Sequence, residues 1–276
     1  SMEMGYMFEE LIRKFAEISN ETAGEHFTPR EVIKLMVNIL FLNDRDILTK
    51  KGITKTIYDC CAGTGGMLSV AEEYLNELNP DARLEVFGQE LNPESYAICK
   101  SDLLIKGQNA SNIKKGNSIS EDKLASEKFD YLITNPPFGV KWEKFAKPVK
   151  AEHEQLGHGG RFGAGLPSVS DGSFLFLMHL MSKMKRPEDG GSRLALVFNG
   201  SPLFSGSPSK TKNESSIRQW IIENDLLEAV IALPNQLFYN TGISTYVWVI
   251  SNNKPTERKG KVKLINAIDF SKKMSK

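Results

Sequence analysis

The apolar positions along the chain follow two different periods. Residues 4–18 place Met7, Phe8, Leu11, Ile12, Phe15 and Ile18 at helical spacing with a polar opposite face, which predicts an amphipathic helix. A second helix is predicted over 24–42, where Thr28 suits an N-cap, Pro29 the first helical position and Glu31 a capping box. Short apolar runs then alternate with helical stretches. A strand ends at Ile57 and Tyr58, and further strands are predicted over 83–90, 112–115, 129–134, 193–198, 226–233, 244–251 and 262–267. Helices are predicted between them over 66–78, 93–106, 173–185 and 214–223. The connection between the strands at 226–233 and 244–251 is too short for a crossover helix, so that pair is antiparallel. The pattern predicts an α/β fold, a doubly wound and mostly parallel sheet with an antiparallel strand near the end, preceded by N-terminal helices. Residues 1–22 read as an N-terminal helix closing a missing helical domain, 23–270 as the α/β domain and 271–276 as a tail.

One stretch breaks the alternation. Residues 139–172 are glycine-rich and show no period. Lys141, Lys144, Lys147, Lys150 and Arg161 mix there with Trp142, Phe145 and Phe162. Basic and aromatic residues interleaved in this way suit a phosphodiester partner, and a solvated loop fits equally well.

Composition narrows the class. A chain of 276 residues, 40% hydrophobic, carries ordinary globular composition. Its net charge of +1 gives no global basic field, so any nucleic-acid contact must come from a local patch or a second subunit. There is neither a run of about 18 apolar residues nor a signal-peptide pattern, and nothing argues for a membrane or for secretion. Cys60, Cys61 and Cys99 make neither a disulfide framework nor a zinc spacing, and the chain reads as cytoplasmic. Ser1 ahead of Met2 reads as an added residue, and the chain as a piece of a longer protein.

The candidate chemistry sits where strands stop. The strand over 129–134 ends abruptly at Asn135-Pro136-Pro137-Phe138. Two prolines in a row stiffen the turn and leave its carbonyls without ladder partners. The Asn135 amide oxygen, the Pro136 carbonyl and the Phe138 ring offer two acceptors and a flat face, a match for a planar amino group. A strand running into a proline-rich loop is the plain alternative. After Asp59, the turn Ala62-Gly63-Thr64-Gly65-Gly66 lets the backbone come close to a ligand. It is neither G-x-G-x-x-G nor a phosphate-binding P-loop. Glu90 ends the next strand, 27 residues after Gly63, where an acidic residue commonly holds ribose hydroxyls and where a solvent-facing charge is equally at home. Asn117 either touches a ligand ring or simply makes a turn. The adjacent Cys60 and Cys61 are read as small loop residues.

These residues resemble a known family. Asp59-x-x-Ala62-Gly63-Thr64-Gly65-Gly66 followed by Asn135-Pro136-Pro137-Phe138 is similar to the amino-group DNA methyltransferases that use S-adenosyl-L-methionine. Glu25-His26-Phe27-Thr28-Pro29-Arg30 ahead of the glycine turn narrows the resemblance to the modification subunits of type I restriction–modification systems. Val197-Phe198-Asn199-Gly200, Ile231-Ala232-Leu233-Pro234-Asn235 and Leu237-Phe238-Tyr239-Asn240-Thr241-Gly242 resemble later blocks of that family.

The resemblance implies a methyltransferase catalytic domain over 23–270 acting on adenine N6 in DNA, with the target base flipped out of the duplex. Thr28, among Glu25, His26, Phe27, Pro29 and Arg30, would meet the methionine end of the cofactor. Cys61, Ala62 and Gly63, with Asp59 and Gly65 around them, would let the backbone approach it. Glu90 would hold the ribose, and Asn117 would lie near the cofactor adenine where the family usually has Asp. Cys60 stands where the family usually has Pro, and Met67 where it often has Phe. No metal is implied. The resemblance also implies a specificity subunit that reads the target, and leaves open a restriction subunit. Glutamine- and RNA-modifying enzymes on a similar core, or a non-catalytic DNA- or subunit-binding module, are the competing readings. A nicotinamide-dependent dehydrogenase is disfavoured by the missing G-x-G-x-x-G.

Overall fold

The computed structural model describes residues 28–209, 213–238 and 242–271. The helix expected over 4–18 lies outside the described residues, as do Glu25, His26 and Phe27, the stretch Tyr239, Asn240 and Thr241, and residues 272–276.

The strands are β1 (Thr54–Asp59), β2 (Arg83–Glu90), β3 (Ile113–Lys115), β4 (Tyr131–Thr134), β5 (Arg193–Asn199), β6 (Leu227–Ala232), β7 (Thr245–Ser251) and β8 (Lys263–Asn266). The helices are α1 (Arg30–Phe41), α2 (Arg45–Leu48), α3 (Gly66–Leu78), α4 (Pro93–Ile105), α5 (Ala146–Leu156), α6 (Ser173–Ser182), α7 (Ser201–Phe204) and α8 (Glu214–Glu223). The strands form one eight-stranded sheet in the order β3-β2-β1-β4-β5-β7-β6-β8. Strand β7 pairs antiparallel with both β5 and β6, as the short connection required.

The central strands read as apolar runs because they are covered on both faces. Side chains alternate across the sheet. Ile57, Ile133, Ala195 and Val197 pack with Val32, Met36 and Leu40 of α1 and Leu68 and Ala71 of α3. Tyr58, Leu132, Leu194 and Phe198 pack with Phe174 and Leu177 of α6 and Ile217 and Ile221 of α8. Burying a leucine or phenylalanine in either layer contributes about 1.5–3 kcal/mol.

Three local expectations change. Helix α1 starts at Arg30, one residue later than the Thr28 cap requires. The Pro29 carbonyl takes the first helical bonds, from the Val32 and Ile33 N–H groups at 3.0 and 3.1 Å, and no side chain caps the helix. The Thr28 hydroxyl is engaged elsewhere, as described below. Regular pairing of β4 begins at Tyr131 rather than at 129, and the Asp130 side chain bonds to the neighbouring strand. Its carboxylate accepts from the Thr56 N–H at 3.0 Å and hydroxyl at 2.8 Å and pairs with Lys55 and Lys185.

The third change concerns residues 139–172, which are not a structureless loop. They contain α5 and fold on an aromatic interior in which Trp142, Val149 and Phe162 are fully buried. Their two ends are clasped, Gly172 N–H to Val140 carbonyl at 2.8 Å and Trp142 N–H to Val169 carbonyl at 3.0 Å. The expected mixture of basic and aromatic residues has sorted itself. Lys141, Lys144 and Lys147 face solvent, as does Lys150, while the rings of Trp142 and Phe162 turn inward.

Candidate functional site at the carboxyl edge of the sheet

The chain leaves β1 toward β2 and β3 in one direction and leaves β4 toward β5 in the other. The switch point of the topology therefore falls between adjacent strands β1 and β4, and an open α/β sheet forms its ligand crevice beyond the carboxyl ends there. Asp59, Glu90 and Asn135, far apart in sequence, end β1, end β2 and follow β4.

Asp59 is buried and ties two turns together. Its Oδ1 accepts from the Cys61 N–H at 2.9 Å and from the Thr134 hydroxyl at 2.7 Å. Burial pushes its carboxyl up to about 7; the two hydrogen bonds oppose that rise and the Glu90 charge adds to it. Thr134 directly precedes Asn135, so one carboxyl group fixes the glycine turn relative to the proline turn. Sequence reading passed over Thr134. Its signal is slight, a hydroxyl at the last position of an otherwise apolar strand.

The glycine turn is held by Ala62 N–H on the Gln89 carbonyl at 3.1 Å and by Gly65 N–H on the Ala62 carbonyl at 2.8 Å. Gly63 and Gly65 have φ of 53° and 89°, in the left-handed region. A side chain at Gly65 would also come within 2.8 Å of the Cys99 sulfur, whereas one at Gly63 or Gly66 would meet nothing within 4 Å. The turn thus packs tightly on α4 at one point and is open elsewhere. Gly65→Ala is expected to cost about 2 kcal/mol of stability through backbone strain and this collision. Urea unfolding of the variant beside the parent protein measures it, and an unchanged midpoint would contradict the tight approach.

Glu90 meets the same turn. One carboxylate oxygen accepts from the Gly63 N–H at 2.7 Å and the other from the Asn92 N–H at 2.6 Å. Each oxygen keeps acceptor capacity beyond these bonds. Glu90 is 9% exposed, so it is a built part of the crevice rather than a solvent-facing strand-end charge. Asn117 adopts the turn role. Its amide oxygen accepts from the Ile119 and Ser120 N–H groups at 2.9 and 3.1 Å. The adjacent Ser118 hydroxyl donates to the Cys60 carbonyl at 2.6 Å, tying this turn to the glycine turn.

At the proline turn, the Asn135 NH2 group donates to the Thr28 hydroxyl at 2.9 Å, across 107 residues. That bond takes up the hydroxyl that the sequence assigned to capping. Pro136 is buried and Pro137 half-buried. The Phe138 ring meets Phe238 edge-on, with centroids 6.3 Å apart at 70°. Phe238, from the connection between β6 and β7, therefore supports this corner; the sequence marked it only as part of a family-like block. Arg30 reaches Glu73 of α3 at 2.6 Å.

The cysteines are placed for packing. The Cys60 and Cys61 sulfurs lie 4.0 Å apart. The Cys60 thiol beside it, then burial, push the Cys61 thiol up, and burial pushes Cys99 up to about 12. Neither Cys61 nor Cys99 is poised as a thiolate nucleophile. Among the described residues no group of three or more His, Cys, Asp or Glu could hold a metal ion. No helix among them is long and apolar enough to cross a membrane.

The sheet order and its switch-point crevice define the fold of the S-adenosylmethionine-dependent methyltransferases. A Listeria monocytogenes protein described as a class I member of that group superposes with a TM-score of 0.69, at 16% identity, over 94% of this chain and 71% of its own, a likeness of fold. The model of the N-6 DNA Methylase family matches residues 2–276, and the chain belongs to that family. The methyltransferase subunit of a type I restriction–modification system from Streptococcus thermophilus is 29% identical, with a TM-score of 0.77 over 97% of this chain and 52% of its own. The type I restriction enzyme MjaIX methylase subunit of Methanocaldococcus jannaschii is 31% identical over 99% of this chain and 45% of its own length. The HindI methylase subunit of Haemophilus influenzae is 28% identical over 96% and 54%. The chain thus spans about half the length of the curated relatives it matches.

Proposed function

We propose that this chain is the catalytic core of a type I modification subunit that transfers a methyl group from S-adenosyl-L-methionine to N6 of an adenine in DNA. The observation that carries the reading is the placement of Asn135-Pro136-Pro137-Phe138 at the switch point, joined through Thr134 and Asp59 to the glycine turn that Glu90 holds.

The crevice fits the cofactor. Glu90 keeps acceptor capacity for a ribose diol, and the space above Gly63 and Gly66 is open to a ligand backbone. Asp59 and Glu90 give the edge a negative character suited to a cationic ligand. Cys61, Ala62, Gly63 and Gly65 would cradle it, with Thr28, Pro29 and Arg30 on the side of its methionine end. When bound, the cofactor supplies a methyl group activated by its sulfonium charge. Asn117, whose amide oxygen is engaged in its own turn, would lie near the adenine of the cofactor.

The adenine amino group is a poor nucleophile because its lone pair is delocalised into the ring. The Asn135 oxygen and the Pro136 carbonyl accept its two hydrogens and turn that lone pair toward the methyl group, so the residues act by positioning and electrostatics. The nitrogen gains the methyl and releases one proton to solvent. Reaching this corner requires the base to leave the duplex, and Phe138 offers it a face. No covalent nucleophile takes part, in keeping with the raised thiols.

A chain of net charge +1 has little general affinity for DNA, which supports a separate specificity subunit as the reader of the target, with a restriction subunit as a further partner in the cytoplasm. The test is methyl transfer from labelled S-adenosylmethionine to host DNA by the full-length protein, alone and with its specificity subunit. N6-methyladenine in the digested product, appearing chiefly with the subunit, is the expected result. Label on RNA or glutamine, or none on DNA with the subunit present, would overturn the reading.

A further inference from the structure

Arg161 spends every one of its donors inside the protein. Its Nε reaches both Glu152 carboxylate oxygens at 3.0 and 3.1 Å, and Nη2 returns to Glu152 at 2.6 Å. The other side of the fork leaves its own segment. Nη1 donates to the Ser118 carbonyl at 3.0 Å and Nη2 to the Ile119 carbonyl at 2.9 Å. Nη1 also meets Nδ1 of His179 at 3.1 Å. Guanidinium only donates, so that ring nitrogen is the acceptor. His179 is then the tautomer that donates from Nε2 to the Tyr58 hydroxyl, 3.0 Å away and one residue before Asp59.

These bonds join three parts of the molecule. Arg161 and Glu152 belong to the segment that follows the Asn135-Pro136-Pro137-Phe138 turn. Ser118 and Ile119 belong to the turn after β3, and the Ser118 hydroxyl passes the connection on to Cys60 in the glycine turn. The fork geometry matters: one planar group bonds two successive carbonyls and a carboxylate at once, which an ammonium cannot reproduce. An arginine needed only for packing would not require this alignment of two backbone carbonyls beside the crevice.

We propose that Arg161 is a positioning residue that couples the segment behind the methyl-acceptor turn to the cofactor side of the crevice, so that cofactor affinity depends on a side chain acting through Ser118 and Cys60. The proposal rests on the reading of the crevice as a cofactor site.

The experiment is titration of S-adenosylmethionine into the 276-residue protein by calorimetry, for the parent and three variants. Arg161→Lys keeps the charge and loses the fork; its Kd is expected to rise about tenfold, as for loss of a charge-assisted hydrogen bond. Ser118→Ala breaks the next link and is expected to raise Kd severalfold, which keeps the test open if Arg161→Lys fails to fold. Val149→Ala loosens the same segment from its buried apolar side and is expected to lower the unfolding temperature while leaving Kd within about twofold. Parent binding with Arg161→Lys and Ser118→Ala both within twofold would overturn the proposal. So would an equal loss in Val149→Ala, because that marks general loosening. If the parent itself fails to bind, the cofactor reading falls first and this inference with it.

Discussion

Asn135→Ala is expected to lower methyl transfer by about a hundredfold to a thousandfold, while the Kd for S-adenosylmethionine stays within about threefold. The first part follows from what the side chain would do. It holds one hydrogen of a weak nucleophile and thereby aims the lone pair, an interaction that strengthens as positive charge develops on the nitrogen. The second part follows from where it sits. Its NH2 group is bonded to Thr28, and the contacts of Glu90, Asp59 and the glycine turn form without its side chain. The Thr28 bond fixes which way the amide faces, because an NH2 group that donates to a hydroxyl leaves the amide oxygen directed away from it. Thr28→Val should therefore reproduce part of the loss, about tenfold, by freeing the amide to rotate. Single-turnover rates with the assembled complex separate chemistry from product release. Asn135→Ala turning over within tenfold of the parent would remove the central role given to this turn.

The reasons that some of this was legible in the sequence are physical. Parallel strands buried on both faces must be apolar end to end, so β4 and β5 stand out as runs, and the polar residues that end β1 and β2 mark the crevice directly.

Results

Sequence analysis

The apolar positions along the chain follow two different periods. Residues 4–18 place Met7, Phe8, Leu11, Ile12, Phe15 and Ile18 at helical spacing with a polar opposite face, which predicts an amphipathic helix. A second helix is predicted over 24–42, where Thr28 suits an N-cap, Pro29 the first helical position and Glu31 a capping box. Short apolar runs then alternate with helical stretches. A strand ends at Ile57 and Tyr58, and further strands are predicted over 83–90, 112–115, 129–134, 193–198, 226–233, 244–251 and 262–267. Helices are predicted between them over 66–78, 93–106, 173–185 and 214–223. The connection between the strands at 226–233 and 244–251 is too short for a crossover helix, so that pair is antiparallel. The pattern predicts an α/β fold, a doubly wound and mostly parallel sheet with an antiparallel strand near the end, preceded by N-terminal helices. Residues 1–22 read as an N-terminal helix closing a missing helical domain, 23–270 as the α/β domain and 271–276 as a tail.

One stretch breaks the alternation. Residues 139–172 are glycine-rich and show no period. Lys141, Lys144, Lys147, Lys150 and Arg161 mix there with Trp142, Phe145 and Phe162. Basic and aromatic residues interleaved in this way suit a phosphodiester partner, and a solvated loop fits equally well.

Composition narrows the class. A chain of 276 residues, 40% hydrophobic, has ordinary globular composition. Its net charge of +1 gives no global basic field, so any nucleic-acid contact must come from a local patch or a second subunit. There is neither a run of about 18 apolar residues nor a signal-peptide pattern, and nothing argues for a membrane or for secretion. Cys60, Cys61 and Cys99 make neither a disulfide framework nor a zinc spacing, and the chain reads as cytoplasmic. Ser1 ahead of Met2 reads as an added residue, and the chain as a piece of a longer protein.

The candidate chemistry sits where strands stop. The strand over 129–134 ends abruptly at Asn135-Pro136-Pro137-Phe138. Two prolines in a row stiffen the turn and leave its carbonyls without ladder partners. The Asn135 amide oxygen, the Pro136 carbonyl and the Phe138 ring offer two acceptors and a flat face, a match for a planar amino group. A strand running into a proline-rich loop is the plain alternative. After Asp59, the turn Ala62-Gly63-Thr64-Gly65-Gly66 lets the backbone come close to a ligand. It is neither G-x-G-x-x-G nor a phosphate-binding P-loop. Glu90 ends the next strand, 27 residues after Gly63. An acidic residue there commonly holds ribose hydroxyls, and a solvent-facing charge is equally at home. Asn117 either touches a ligand ring or simply makes a turn. The adjacent Cys60 and Cys61 are read as small loop residues.

These residues resemble a known family. Asp59-x-x-Ala62-Gly63-Thr64-Gly65-Gly66 followed by Asn135-Pro136-Pro137-Phe138 is similar to the amino-group DNA methyltransferases that use S-adenosyl-L-methionine. Glu25-His26-Phe27-Thr28-Pro29-Arg30 ahead of the glycine turn narrows the resemblance to the modification subunits of type I restriction–modification systems. Val197-Phe198-Asn199-Gly200, Ile231-Ala232-Leu233-Pro234-Asn235 and Leu237-Phe238-Tyr239-Asn240-Thr241-Gly242 resemble later blocks of that family.

The resemblance implies a methyltransferase catalytic domain over 23–270 acting on adenine N6 in DNA, with the target base flipped out of the duplex. Thr28, among Glu25, His26, Phe27, Pro29 and Arg30, would meet the methionine end of the cofactor. Cys61, Ala62 and Gly63, with Asp59 and Gly65 around them, would let the backbone approach it. Glu90 would hold the ribose, and Asn117 would lie near the cofactor adenine where the family usually has Asp. Cys60 stands where the family usually has Pro, and Met67 where it often has Phe. No metal is implied. The resemblance also implies a specificity subunit that reads the target, and leaves open a restriction subunit. Glutamine- and RNA-modifying enzymes on a similar core, or a non-catalytic DNA- or subunit-binding module, are the competing readings. A nicotinamide-dependent dehydrogenase is disfavoured by the missing G-x-G-x-x-G.

Overall fold

The computed structural model describes residues 28–209, 213–238 and 242–271. The helix expected over 4–18 lies outside the described residues, as do Glu25, His26 and Phe27, the stretch Tyr239, Asn240 and Thr241, and residues 272–276.

The strands are β1 (Thr54–Asp59), β2 (Arg83–Glu90), β3 (Ile113–Lys115), β4 (Tyr131–Thr134), β5 (Arg193–Asn199), β6 (Leu227–Ala232), β7 (Thr245–Ser251) and β8 (Lys263–Asn266). The helices are α1 (Arg30–Phe41), α2 (Arg45–Leu48), α3 (Gly66–Leu78), α4 (Pro93–Ile105), α5 (Ala146–Leu156), α6 (Ser173–Ser182), α7 (Ser201–Phe204) and α8 (Glu214–Glu223). The strands form one eight-stranded sheet in the order β3-β2-β1-β4-β5-β7-β6-β8. Strand β7 pairs antiparallel with both β5 and β6, as the short connection required, and the other pairings are parallel.

The central strands read as apolar runs because they are covered on both faces. Side chains alternate across the sheet. Ile57, Ile133, Ala195 and Val197 pack in one layer with Val32, Met36 and Leu40 of α1 and Leu68 and Ala71 of α3. Tyr58, Leu132, Leu194 and Phe198 pack in the other with Phe174 and Leu177 of α6 and Ile217 and Ile221 of α8. Burying a leucine or phenylalanine in either layer contributes about 1.5–3 kcal/mol.

Three local expectations change. Helix α1 starts at Arg30, one residue later than a Thr28 cap requires. The Pro29 carbonyl takes the first helical bonds, from the Val32 and Ile33 N–H groups at 3.0 and 3.1 Å, and no side chain caps the helix. The Thr28 hydroxyl is engaged elsewhere, as described below. Regular pairing of β4 begins at Tyr131 rather than at 129, and the Asp130 side chain bonds to the neighbouring strand. Its carboxylate accepts from the Thr56 N–H at 3.0 Å and hydroxyl at 2.8 Å, and pairs with Lys55 and Lys185.

The third change concerns residues 139–172, which are not a structureless loop. They contain α5 and fold on an apolar interior in which Trp142, Val149 and Phe162 are buried. Their two ends are clasped, Gly172 N–H to Val140 carbonyl at 2.8 Å and Trp142 N–H to Val169 carbonyl at 3.0 Å. The mixture of basic and aromatic residues has sorted itself. Lys141, Lys144, Lys147 and Lys150 face solvent, while the rings of Trp142 and Phe162 turn inward.

Candidate functional site at the carboxyl edge of the sheet

The chain leaves β1 toward β2 and β3 in one direction and leaves β4 toward β5 in the other. The switch point of the topology therefore falls between adjacent strands β1 and β4, and an open α/β sheet forms its ligand crevice beyond the carboxyl ends there. Asp59, Glu90 and Asn135, far apart in sequence, end β1, end β2 and follow β4.

Asp59 is buried and ties two turns together. Its Oδ1 accepts from the Cys61 N–H at 2.9 Å and from the Thr134 hydroxyl at 2.7 Å. Burial pushes its carboxyl up to about 7; the two hydrogen bonds oppose that rise and the Glu90 charge adds to it. Thr134 directly precedes Asn135, so one carboxyl group fixes the glycine turn relative to the proline turn. Sequence reading passed over Thr134. Its signal is slight, a hydroxyl at the last position of an otherwise apolar strand.

The glycine turn is held by Ala62 N–H on the Gln89 carbonyl at 3.1 Å and by Gly65 N–H on the Ala62 carbonyl at 2.8 Å. Gly63 and Gly65 have φ of 53° and 89°, in the left-handed region. A side chain at Gly65 would also come within 2.8 Å of the Cys99 sulfur, whereas one at Gly63 or Gly66 would meet nothing within 4 Å. The turn thus packs tightly on α4 at one point and is open elsewhere. Gly65→Ala is expected to cost about 2 kcal/mol of stability through backbone strain and this collision. Urea unfolding of the variant beside the parent protein measures it, and an unchanged midpoint would contradict the tight approach.

Glu90 meets the same turn. One carboxylate oxygen accepts from the Gly63 N–H at 2.7 Å and the other from the Asn92 N–H at 2.6 Å. Each oxygen keeps acceptor capacity beyond these bonds. Glu90 is 9% exposed, so it is a built part of the crevice rather than a solvent-facing charge. Asn117 adopts the turn role. Its amide oxygen accepts from the Ile119 and Ser120 N–H groups at 2.9 and 3.1 Å. The adjacent Ser118 hydroxyl donates to the Cys60 carbonyl at 2.6 Å, tying this turn to the glycine turn.

At the proline turn, the Asn135 NH2 group donates to the Thr28 hydroxyl at 2.9 Å, across 107 residues. That bond takes up the hydroxyl that the sequence assigned to capping. Pro136 is buried and Pro137 half-buried. The Phe138 ring meets Phe238 edge-on, with centroids 6.3 Å apart at 70°. Phe238, from the connection between β6 and β7, therefore supports this corner; the sequence marked it only as part of a family-like block. Arg30 reaches Glu73 of α3 at 2.6 Å.

The cysteines are placed for packing. The Cys60 and Cys61 sulfurs lie 4.0 Å apart. The Cys60 thiol, then burial, push the Cys61 thiol up, and burial pushes Cys99 up to about 12. Neither is poised as a thiolate nucleophile. Among the described residues no group of three or more His, Cys, Asp or Glu could hold a metal ion. No helix among them is long and apolar enough to cross a membrane.

The sheet order and its switch-point crevice define the fold of the S-adenosylmethionine-dependent methyltransferases. A Listeria monocytogenes protein described as a class I member of that group superposes with a TM-score of 0.69, at 16% identity, over 94% of this chain and 71% of its own, a likeness of fold. The model of the N-6 DNA Methylase family matches residues 2–276, and the chain belongs to that family. The methyltransferase subunit of a type I restriction–modification system from Streptococcus thermophilus is 29% identical, with a TM-score of 0.77 over 97% of this chain and 52% of its own. The type I restriction enzyme MjaIX methylase subunit of Methanocaldococcus jannaschii is 31% identical over 99% of this chain and 45% of its own length. The HindI methylase subunit of Haemophilus influenzae is 28% identical over 96% and 54%. The chain thus spans about half the length of the curated relatives it matches.

Proposed function

We propose that this chain is the catalytic core of a type I modification subunit that transfers a methyl group from S-adenosyl-L-methionine to N6 of an adenine in DNA. The observation that carries the reading is the placement of Asn135-Pro136-Pro137-Phe138 at the switch point, joined through Thr134 and Asp59 to the glycine turn that Glu90 holds.

The crevice fits the cofactor. Glu90 keeps acceptor capacity for a ribose diol, and the space at Gly63 and Gly66 is open to a ligand. Asp59 and Glu90 give the edge an acidic character suited to a cationic ligand. Cys61, Ala62, Gly63 and Gly65 would cradle it, and Thr28 and Pro29 would meet its methionine end. When bound, the cofactor supplies a methyl group activated by its sulfonium charge. Asn117, whose amide oxygen is engaged in its own turn, would lie near the adenine of the cofactor.

The adenine amino group is a poor nucleophile because its lone pair is delocalised into the ring. The Asn135 oxygen and the Pro136 carbonyl accept its two hydrogens and turn that lone pair toward the methyl group, so the residues act by positioning and electrostatics. The nitrogen gains the methyl and releases one proton to solvent. Reaching this corner requires the base to leave the duplex, and Phe138 offers it a face. No covalent nucleophile takes part, in keeping with the raised thiols of Cys61 and Cys99.

A chain of net charge +1 has little general affinity for DNA. That supports a separate specificity subunit as the reader of the target, with a restriction subunit as a further partner in the cytoplasm. The test is methyl transfer from labelled S-adenosylmethionine to DNA by the full-length protein, alone and with its specificity subunit. N6-methyladenine in the digested product, appearing chiefly with the subunit, is the expected result. Label on RNA or glutamine, or none on DNA with the subunit present, would overturn the reading.

A further inference from the structure

Arg161 uses every one of its donors inside the protein. Its Nε reaches both Glu152 carboxylate oxygens at 3.0 and 3.1 Å, and Nη2 returns to Glu152 at 2.6 Å. The other side of the fork leaves its own segment. Nη1 donates to the Ser118 carbonyl at 3.0 Å and Nη2 to the Ile119 carbonyl at 2.9 Å. Nη1 also meets Nδ1 of His179 at 3.1 Å. Guanidinium only donates, so that ring nitrogen is the acceptor. His179 is then the tautomer that donates from Nε2 to the Tyr58 hydroxyl, 3.0 Å away and one residue before Asp59.

These bonds join three parts of the molecule. Arg161 and Glu152 belong to the segment that follows the Asn135-Pro136-Pro137-Phe138 turn. Ser118 and Ile119 belong to the turn after β3, and the Ser118 hydroxyl passes the connection on to Cys60 in the glycine turn. The fork geometry matters: one planar group bonds two successive carbonyls and a carboxylate at once, which an ammonium cannot reproduce.

We propose that Arg161 is a positioning residue that couples the segment behind the methyl-acceptor turn to the cofactor side of the crevice, so that cofactor affinity depends on a side chain acting through Ser118 and Cys60. The proposal rests on the reading of the crevice as a cofactor site.

The experiment is titration of S-adenosylmethionine into the 276-residue protein by calorimetry, for the parent and three variants. Arg161→Lys keeps the charge and loses the fork; its Kd is expected to rise about tenfold, as for loss of a charge-assisted hydrogen bond. Ser118→Ala breaks the next link and is expected to raise Kd severalfold, which keeps the test open if Arg161→Lys fails to fold. Val149→Ala loosens the same segment from its buried apolar side. It is expected to lower the unfolding temperature while leaving Kd within about twofold. Parent binding with Arg161→Lys and Ser118→Ala both within twofold would overturn the proposal. So would an equal loss in Val149→Ala, because that marks general loosening. If the parent itself fails to bind, the cofactor reading falls first and this inference with it.

Discussion

Asn135→Ala is expected to lower methyl transfer by about a hundredfold to a thousandfold, while the Kd for S-adenosylmethionine stays within about threefold. The first part follows from what the side chain would do. It holds one hydrogen of a weak nucleophile and thereby aims the lone pair, an interaction that strengthens as positive charge develops on the nitrogen. The second part follows from where it sits. Its NH2 group is bonded to Thr28, and the contacts of Glu90, Asp59 and the glycine turn form without its side chain. The Thr28 bond fixes which way the amide faces, because an NH2 group that donates to a hydroxyl leaves the amide oxygen directed elsewhere. Thr28→Val should therefore reproduce part of the loss, about tenfold, by freeing the amide to rotate. Single-turnover rates with the assembled complex separate chemistry from product release. Asn135→Ala turning over within tenfold of the parent would remove the central role given to this turn.

What the sequence disclosed, and what it withheld, has a physical basis. Parallel strands buried on both faces must be apolar end to end, so β4 and β5 stand out as runs, and the acidic residues that end β1 and β2 mark the crevice directly. The connection between β6 and β7 leaves no room for a crossover helix, which sets the direction of β7 once its span is read. Thr28 misled because capping preference is local, whereas its actual partner, Asn135, lies across the fold. Residues 139–172 misled for the opposite reason. Trp142, Val149 and Phe162 have no common period, and the order of the segment comes from distant groups, Arg161 on Ser118 and Ile119 and the Ser168 N–H on Glu214. Glu90 was visible as a strand-end acid, but its bond to Gly63 exists only once β1 and β2 are side by side.

S-adenosylmethionine affinity is expected to rise by up to about tenfold per pH unit between roughly pH 5.5 and 7, and to level off above that range. The responsible group is Asp59, whose carboxyl burial pushes up to about 7. Below that pH the free protein holds Asp59 protonated. A cationic ligand in the crevice favours the carboxylate, so binding releases a proton there and gains affinity as protons become scarce. Above the midpoint the carboxylate is already formed and the dependence ends. Bare-protein stability is the poorer readout, because two buried groups pull it in opposite directions. The folded-state value of Asp59 lies above its ordinary one, so its contribution is full below about pH 4 and is lost as pH rises through 7. His179 is held neutral, chiefly by burial, at about 3 against an ordinary 6.5, so its contribution is full above that ordinary value and is lost as pH falls toward 3. Cofactor affinity isolates the first of these. Calorimetry in buffers of differing ionisation heat, at about pH 6, should show a proton leaving on binding to the parent and none with Asp59→Asn. An Asp59→Asn protein that kept the slope would assign the titration to another group, and a flat parent curve would place the cofactor's charge away from Asp59.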